Sequence, residues 1–574
     1  MNKYIITILI FHICINSFYS QPISQNDIAD KYFENTSEVY FKFYISNKDQ
    51  INLITKIISI ENFKDGYIYA YANKKQFKKF LLLNIDYEIL TPLSSLYNSK
   101  MSKSLNDLYS WNSYPTYPQY DSIMHKFETD YPNICKLVEI GTSVKGRKIY
   151  FLKISDSINI SQNKPEFMYS SSIHGNEPVG YVLMLRLINY ILTNYGTNVK
   201  INNLVDNIDI WINPLANPDG TYAGGDSTIN GSTRGNFYGI DINRNYPDPQ
   251  DGEHPDGEVW QTENISMMNF MSQHNFILSA NFHTGAELLN YPWDTWNHTH
   301  ADDAWFKYIC HQYADTAQSF SSSLPYYFQF YDDGISNGFD WYEVNGGRQD
   351  YVNYFLHGRE VTIEISNQNK PNSNTLDLLW NANYRSFLNY IQQTLYGIQG
   401  TITDSLTGEP IRAKIEVLSH DLDNSFIFSD SIYGKYHRLI NQGTYNLKYS
   451  ASGYKNKFVS NVHASNMQTT ILDVQMVKGE SGIENKDNNV TFLNIYPNPF
   501  ENISNIEFEI KNNSEVSLFI YNALGEKKYY TDFGFYNKGK YDKQLNLNEI
   551  KSGMYYCYFI AGNQLIIKKI VILR

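Results

Sequence analysis

Between residues 108 and 395, short apolar runs alternate with segments of helical period, and this alternation constrains the fold more than any other feature. The runs at 167–171, 208–212, 276–282 and 360–365 read as strands, whereas 182–192 repeats its apolar positions at helical spacing. Strands alternating with amphipathic helices predict a layered α/β domain, expected over 106–396. The pattern breaks at Tyr396. Residues 397–404, 413–418, 436–440 and 444–449 are short strands parted by Gly, Pro and Asn turns, which predicts a β-sandwich over 397–477. A polar linker, 478–492, is expected to lead to a second all-β module, 493–574. Ahead of the main domain, 21–105 mixes short β-like and helical runs, a small α/β unit set off by the polar tract 98–106.

Hydrophobic residues at 42% and aromatics at 16% suffice for several packed cores in 574 residues. The formal charge of −12 argues against a nucleic-acid groove, which needs clustered Lys and Arg. Residues 1–20 open with Lys3, run mostly apolar to Ile15 and end at Ser20, the pattern of a signal peptide. No later stretch is long and apolar enough for a transmembrane segment. Beyond Cys14, only Cys135, Cys310 and Cys557 remain, too few for a disulfide scaffold; a Cys135–Cys310 bridge stays open.

The chemistry concentrates where strands end. The run from Phe167 closes in a tight turn, His174-Gly-Asn-Glu177-Pro178, before the helical segment. An imidazole and a carboxylate three residues apart can aim at one point, as a catalytic zinc site requires, but a His-x-x-Glu also arises by chance. A third ligand should come from a distant strand, and His283, at the end of 277–283, is a candidate among 13 histidines.

Several motifs arrive together in order: Ser172-Ile-His174-Gly-Asn-Glu177, Asn213-Pro-Leu-Ala-Asn-Pro-Asp-Gly220, Arg234-Gly-Asn236, Gly239-Ile-Asp-Ile-Asn243-Arg244-Asn245, Phe282-His283 and Thr362-Ile-Glu364. Over 108–477 the chain thereby resembles the zinc carboxypeptidases, in particular their N/E, or regulatory, branch, with 397–477 similar to that branch's transthyretin-like sandwich. The resemblance implies a mixed, twisted central sheet with helices on both faces. It implies one zinc ion held by His174, Glu177 and His283, which would acidify water and polarise a carbonyl. Glu364 would be general base then acid, and Arg234 would stabilise the oxyanion. Asn243 and Arg244 would clamp the substrate's terminal carboxylate, since a planar guanidinium binds it bidentately. Tyr342, beside the Gly346-Gly347 pair, matches a mobile tyrosine that closes over the substrate. Asp294 and Gln349 match the pocket for a basic side chain, so C-terminal Arg or Lys is the expected substrate end. Thr284 and Tyr351 depart from the branch, which more often has Gly and Trp there. The unit 21–105 is unusual for the branch and is expected to be a propeptide that assists folding or covers the cleft.

The last module opens Leu493-Asn-Ile-Tyr-Pro-Asn-Pro-Phe500 and closes Lys568-Lys-Ile-Val-Ile-Leu-Arg574. It resembles the sorting domain read by the type IX secretion machinery, which implies export through the periplasm of a Gram-negative bacterium to a secreted or cell-surface destination. The expected partners are that machinery and peptides or proteins with free C-termini. Two other readings stay open: a zinc peptidase of different specificity, for cell-wall peptides or apolar C-termini, and a catalytically dead surface binding protein.

Overall fold

Neighbouring residues of one central strand face opposite ways, Phe167 and Tyr169 into one hydrophobic cluster and Met168 into another, so this strand is covered on both sides. The computed structural model of the chain describes residues 24–45, 49–96, 98–158, 163–479, 490–522, 526–562 and 564–573. The expected signal peptide and most of the expected linker lie outside these residues. The chain divides into two compact units, one reaching residue 451 and including 456–477, the other made of 452–455 and the stretch from 478.

The first unit begins with an antiparallel sheet of β1 (Glu38–Tyr44), β2 (Ser59–Lys64), β3 (Tyr67–Asn73) and β4 (Tyr87–Leu90), in the order β2-β3-β1-β4. Helices Gln25–Phe33 and Lys74–Leu81 accompany this sheet, each started by a capping box, Ser24 with Asp27 and Asn73 with Gln76. Phe41, Phe43, Phe77 and Phe80 form its own core.

The main sheet holds β5 (Cys135–Thr142), β6 (Lys148–Ile154), β7 (Glu166–Ser171), β8 (Asp209–Asn213), β9 (Phe276–His283), β10 (Ala286–Tyr291), β11 (Ile335–Asn337) and β12 (Glu360–Ser366). Their order is β11-β10-β12-β9-β7-β8-β6-β5. The middle four, β12, β9, β7 and β8, run parallel, and antiparallel pairs flank them, so the sheet is mixed. The helix Val179–Asn194 is apolar nearly all round and correspondingly buried, and it joins the larger cluster with Thr375–Gln392 and Asp303–Ser319. Met267, Phe270 and Met271 of Thr262–Ser272 cover the other face. Cys135 and Cys310 are both buried and free, so no bridge joins them.

After residue 396 come two small sheets, ordered β16-β13-β19 and β15-β14-β17-β18 on extending the same count through Gly397–Asp404 (β13), Lys414–Val417 (β14), Ile427–Phe428 (β15), Lys435–Arg438 (β16), Gly443–Ser450 (β17), Lys457–Ala464 (β18) and Thr469–Ile471 (β19). The second unit is all-β and antiparallel, with a separate core that includes Ile506, Phe508, Leu518, Phe559 and Ile570. Among the described residues, no helix is long and apolar enough to cross a membrane.

Candidate active site

Parallel strands end together, and the crevice beyond their carboxyl ends is where an α/β sheet collects polar side chains. Here β7 leads into the turn that carries His174 and Glu177, β9 ends on His283, and Glu364 sits near the end of β12 in register with His283. The turn after β7 is sharp. Ser172 takes a left-handed conformation (φ 55°) and its hydroxyl donates to the Glu177 carbonyl at 3.1 Å. Gly175 packs so close to the main chain of Gly220 that a Cβ would lie 2.2 Å from the Gly220 carbonyl carbon. Asn217 braces the same turn by donating to the carbonyls of Ile173 and Arg234. The Asn-Pro-Asp-Gly stretch thus supports the His174 turn from below.

His174 Nδ1 lies 2.9 Å from Glu177 Oε1, His283 Nδ1 lies 3.0 Å from Glu177 Oε2, and the two Nδ1 atoms are 3.1 Å apart. The ligand atoms of all three residues fall within 4.8 Å of one another, and all three are buried. Asp241 Oδ1 meets His174 Nε2 at 2.9 Å, and Asn281 meets His283 Nε2 at 2.8 Å, so each outer ring nitrogen is engaged and each Nδ1 faces the common point. Two imidazole nitrogens and a carboxylate converging in this way fit a zinc ion with room for further ligands. Burial opposes ionisation of Glu177, yet the two histidines hold its carboxyl well below the usual range. The motifs alone give Asp241 no role, although it lies inside Gly239–Asn245; only the fold reveals that it turns His174 and accepts from Arg234 Nε at 3.1 Å.

Burial, and after it Glu177, hold the Glu364 carboxyl well above the ordinary carboxylate range. Its Oε2 is buried without a hydrogen-bond partner, on a residue that lines the cleft. Arg234 reaches Glu177 Oε1 through Nη1 at 3.2 Å. Arg244 spends Nη1 on the Asn243 carbonyl at 2.9 Å, while its buried Nε has no protein partner. Asn243, Arg244, Asp294 and Tyr342 line the same cleft as the three ligands and Glu364.

Gln349 is placed differently. It is buried behind the cleft wall, donating Nε2 to Asp294 Oδ1 at 2.9 Å and to Asn290 Oδ1 at 3.3 Å, and accepting from the Thr362 main chain at 2.8 Å. Its amide therefore holds Asp294 and does not face the opening. The Gly346-Gly347 pair is also tighter than a loose hinge, because a Cβ on Gly346 would lie 2.3 Å from the Arg244 carbonyl oxygen.

The N-terminal sheet lies over this cleft. Glu38 accepts from the main-chain N–H groups of Arg234 (2.7 Å) and Gly235 (2.9 Å). Ser59 accepts from Arg234 Nε at 2.8 Å and donates to Asp241. Glu61 forms part of the cleft wall, held by Asn369, and the Tyr342 hydroxyl lies 3.5 Å from the Ile60 carbonyl. The cavity left over is about 40 Å³, enough for water and not for an amino-acid residue.

Comparison with known proteins places these observations. Residues 120–386 match the family described as zinc carboxypeptidase, and 494–573 match the secretion system C-terminal sorting domain. Carboxypeptidase D of Mus musculus is 33% identical over 387 residues, covering 64% of this chain and 27% of that protein. The chain thus spans about a quarter of that relative's length. The carboxypeptidase N catalytic chain of Mus musculus is 30% identical over 404 residues, 64% of this chain and 87% of its own. Among solved structures, the carboxypeptidase A of Helicoverpa armigera is 18% identical with a TM-score of 0.47, covering 63% of this chain and 98% of that one.

Proposed function

This chain belongs to the zinc carboxypeptidase family, and from that premise we propose that it is an exported exopeptidase releasing single C-terminal residues, Arg and Lys preferred. The observation that carries the reading is the convergence of His174, Glu177 and His283 within 4.8 Å, beside the unpartnered Glu364 Oε2. A zinc ion held by these three residues would supply Lewis-acid chemistry, polarising the scissile carbonyl and acidifying water. Glu364 takes a proton from water at Oε2 and returns it to the leaving amine. Arg234 turns its guanidinium to the oxyanion that develops on the scissile carbonyl, and Arg244 with Asn243 grips the terminal carboxylate. That grip is what confines cleavage to chain ends. Asp294, buried on the cleft wall, pairs with a cationic side chain, whereas an apolar one would leave the carboxyl unmatched.

The deciding experiment offers matched peptides ending in Arg, Lys, Leu, Phe and Glu, with and without a strong chelator. Cleavage of the Arg and Lys peptides, lost on chelation, is expected; cleavage that survives chelation, or none at all, overturns the assignment. A preference for Leu or Phe would favour the reading as a zinc peptidase of other specificity.

The unit 21–105 acts as a propeptide that covers the cleft, a role supported by the hydrogen bonds of Glu38 and Ser59 to Arg234 and by Glu61 lining the cleft wall. Limited proteolysis that removes this unit should raise hydrolysis of the Arg peptide; equal activity before and after would refute the cover. The sorting domain at 494–573 marks the protein for secretion or surface attachment, and we assign its passage to the type IX machinery across a Gram-negative periplasm.

A further inference from the structure

Asp294 must present its carboxyl to the cleft from a turn, and the turn is held by a second acid. The main-chain N–H of Asp294 donates to both carboxyl oxygens of Asp350 (3.1 Å each), and the N–H of Thr295 donates to Asp350 Oδ2 at 2.9 Å. Asp350 has no exposed surface and is not part of the cleft wall. It stands in the first turn of the helix Arg348–Phe355, next to Gln349, whose amide holds the Asp294 side chain at 2.9 Å. One helical turn therefore grips Asp294 twice, by its backbone and by its carboxyl. Asp248 grips the far side of the same turn, accepting from the Thr295 hydroxyl at 3.1 Å and from the Gly346 N–H at 2.9 Å.

A buried acid beside two others, with no ion pair of its own among the described residues, is costly to keep. An amide of the same shape cannot replace it, because its NH₂ would face an N–H on one side. A small apolar residue would leave two buried N–H groups unpaired. The wall around Asp294 is also closely packed: a Cβ on Gly338 would lie 1.8 Å from Asp294 Oδ1, so only a glycine fits there, and one on Gly347 would lie 3.6 Å from Oδ2. Within that tight wall the Gln349 amide on Oδ1 and the Asp350 carboxyl on the main chain set which way the Asp294 carboxyl points.

We infer that Asp350 is a positioning residue for side-chain specificity, fixing the main chain of Asp294 so that its carboxyl meets the substrate's basic group, without touching substrate itself. This rests on the reading of Asp294 proposed above. The test uses the zinc-loaded full chain, treated with protease until activity is constant, and two peptides differing only in a final Arg or Leu. In Asp350→Asn the Arg-over-Leu ratio of kcat/KM falls about tenfold, with the loss in KM of the Arg peptide rather than in kcat. An unchanged ratio, including the case in which both peptides suffer equally, overturns the inference. Should that variant not fold, Asp350→Ser, which keeps an acceptor in less volume, takes its place: a fallen ratio supports the inference and an unchanged one overturns it. Asp294→Asn serves as the separate control: if it keeps the wild-type ratio, the reading of Asp294 fails, and the inference about Asp350 falls with it. A ratio lost in Asp294→Asn but kept in Asp350→Asn sinks the Asp350 inference alone.

Discussion

Glu364 on the cleft wall and Asp241 behind His174 are both buried acids, and their surroundings give them opposite tasks. Glu364 has an oxygen with no partner, so Glu364→Gln should keep zinc and lose turnover by about 10²–10⁴-fold. Full activity in a zinc-replete Glu364→Gln chain would remove Glu364 from the chemistry. Asp241 has both oxygens engaged, by His174 Nε2 on one side and by Arg234 and Ser59 on the other. Its substitution should act through the metal: Asp241→Asn is expected to weaken zinc about 10- to 100-fold, read by competition with a chelator. Unaltered zinc affinity there would mean that His174 needs no orienting partner. These two outcomes separate a residue that moves a proton from one that aims a ligand.

At the scale of elements, the site depends on how closely one turn lies on another. The His174 turn follows β7 and rests on the segment after β8, with Gly175 against Gly220 and Asn217 bonded across the gap. A methyl group at 175 has no flexible neighbour to displace, because the atoms it meets are main chain. Gly175→Ala should therefore cost roughly 1–3 kcal/mol or more and lower zinc occupancy together with stability. Thermal unfolding with and without zinc would show it; a variant as stable as the parent would mean the turn relaxes freely. The helix Arg348–Phe355 shows the same dependence, since its first turn fixes Asp294 through Gln349 and Asp350.

Across the whole first unit, the contact that matters most joins the N-terminal sheet to the cleft. Burial lifts the Glu38 carboxyl from its ordinary value of 4.5 to about 7, against the pull of the Gly235 and Arg234 N–H groups. A carboxyl whose value is higher in the docked state than in the free one favours docking when protonated. That contribution is fully present below the ordinary value, and it is lost as pH rises through about 7. Proteolytic removal of residues 21–105 should accordingly be faster at pH 8 than at pH 5, after correction for the protease's own pH dependence. Glu38→Gln should reduce the difference without abolishing it, because burial also lifts the Glu61 carboxyl to about 7; a pH effect that persists undiminished in that variant would assign it to another group.

The candidate ligands and base were legible only through several motifs arriving in a family's order, because spacing alone left each His and Glu ambiguous; the fold then brings His174, Glu177 and His283 within 4.8 Å. The alternation of strand and helix likewise announced a layered α/β domain, because each element must bury one face. Tertiary structure alone decided which side chains meet across distant segments. Asp241 on His174, Asp350 behind Asp294 and Glu38 on Arg234 are joined by distances of about 3 Å between residues 56 to 196 positions apart. Gln349 matches the pocket by its motif, but the fold turns its amide to Asp294 and away from the opening. The unit 21–105 was legible as a small α/β piece expected to assist folding or cover the cleft, whereas the particular β2 residues at the site, Ser59 on Arg234 and Glu61 on the cleft wall, were not. The physical reason is common to all of these. Residue type records what a group can do, and only the packed chain fixes which partner it faces and which water it excludes.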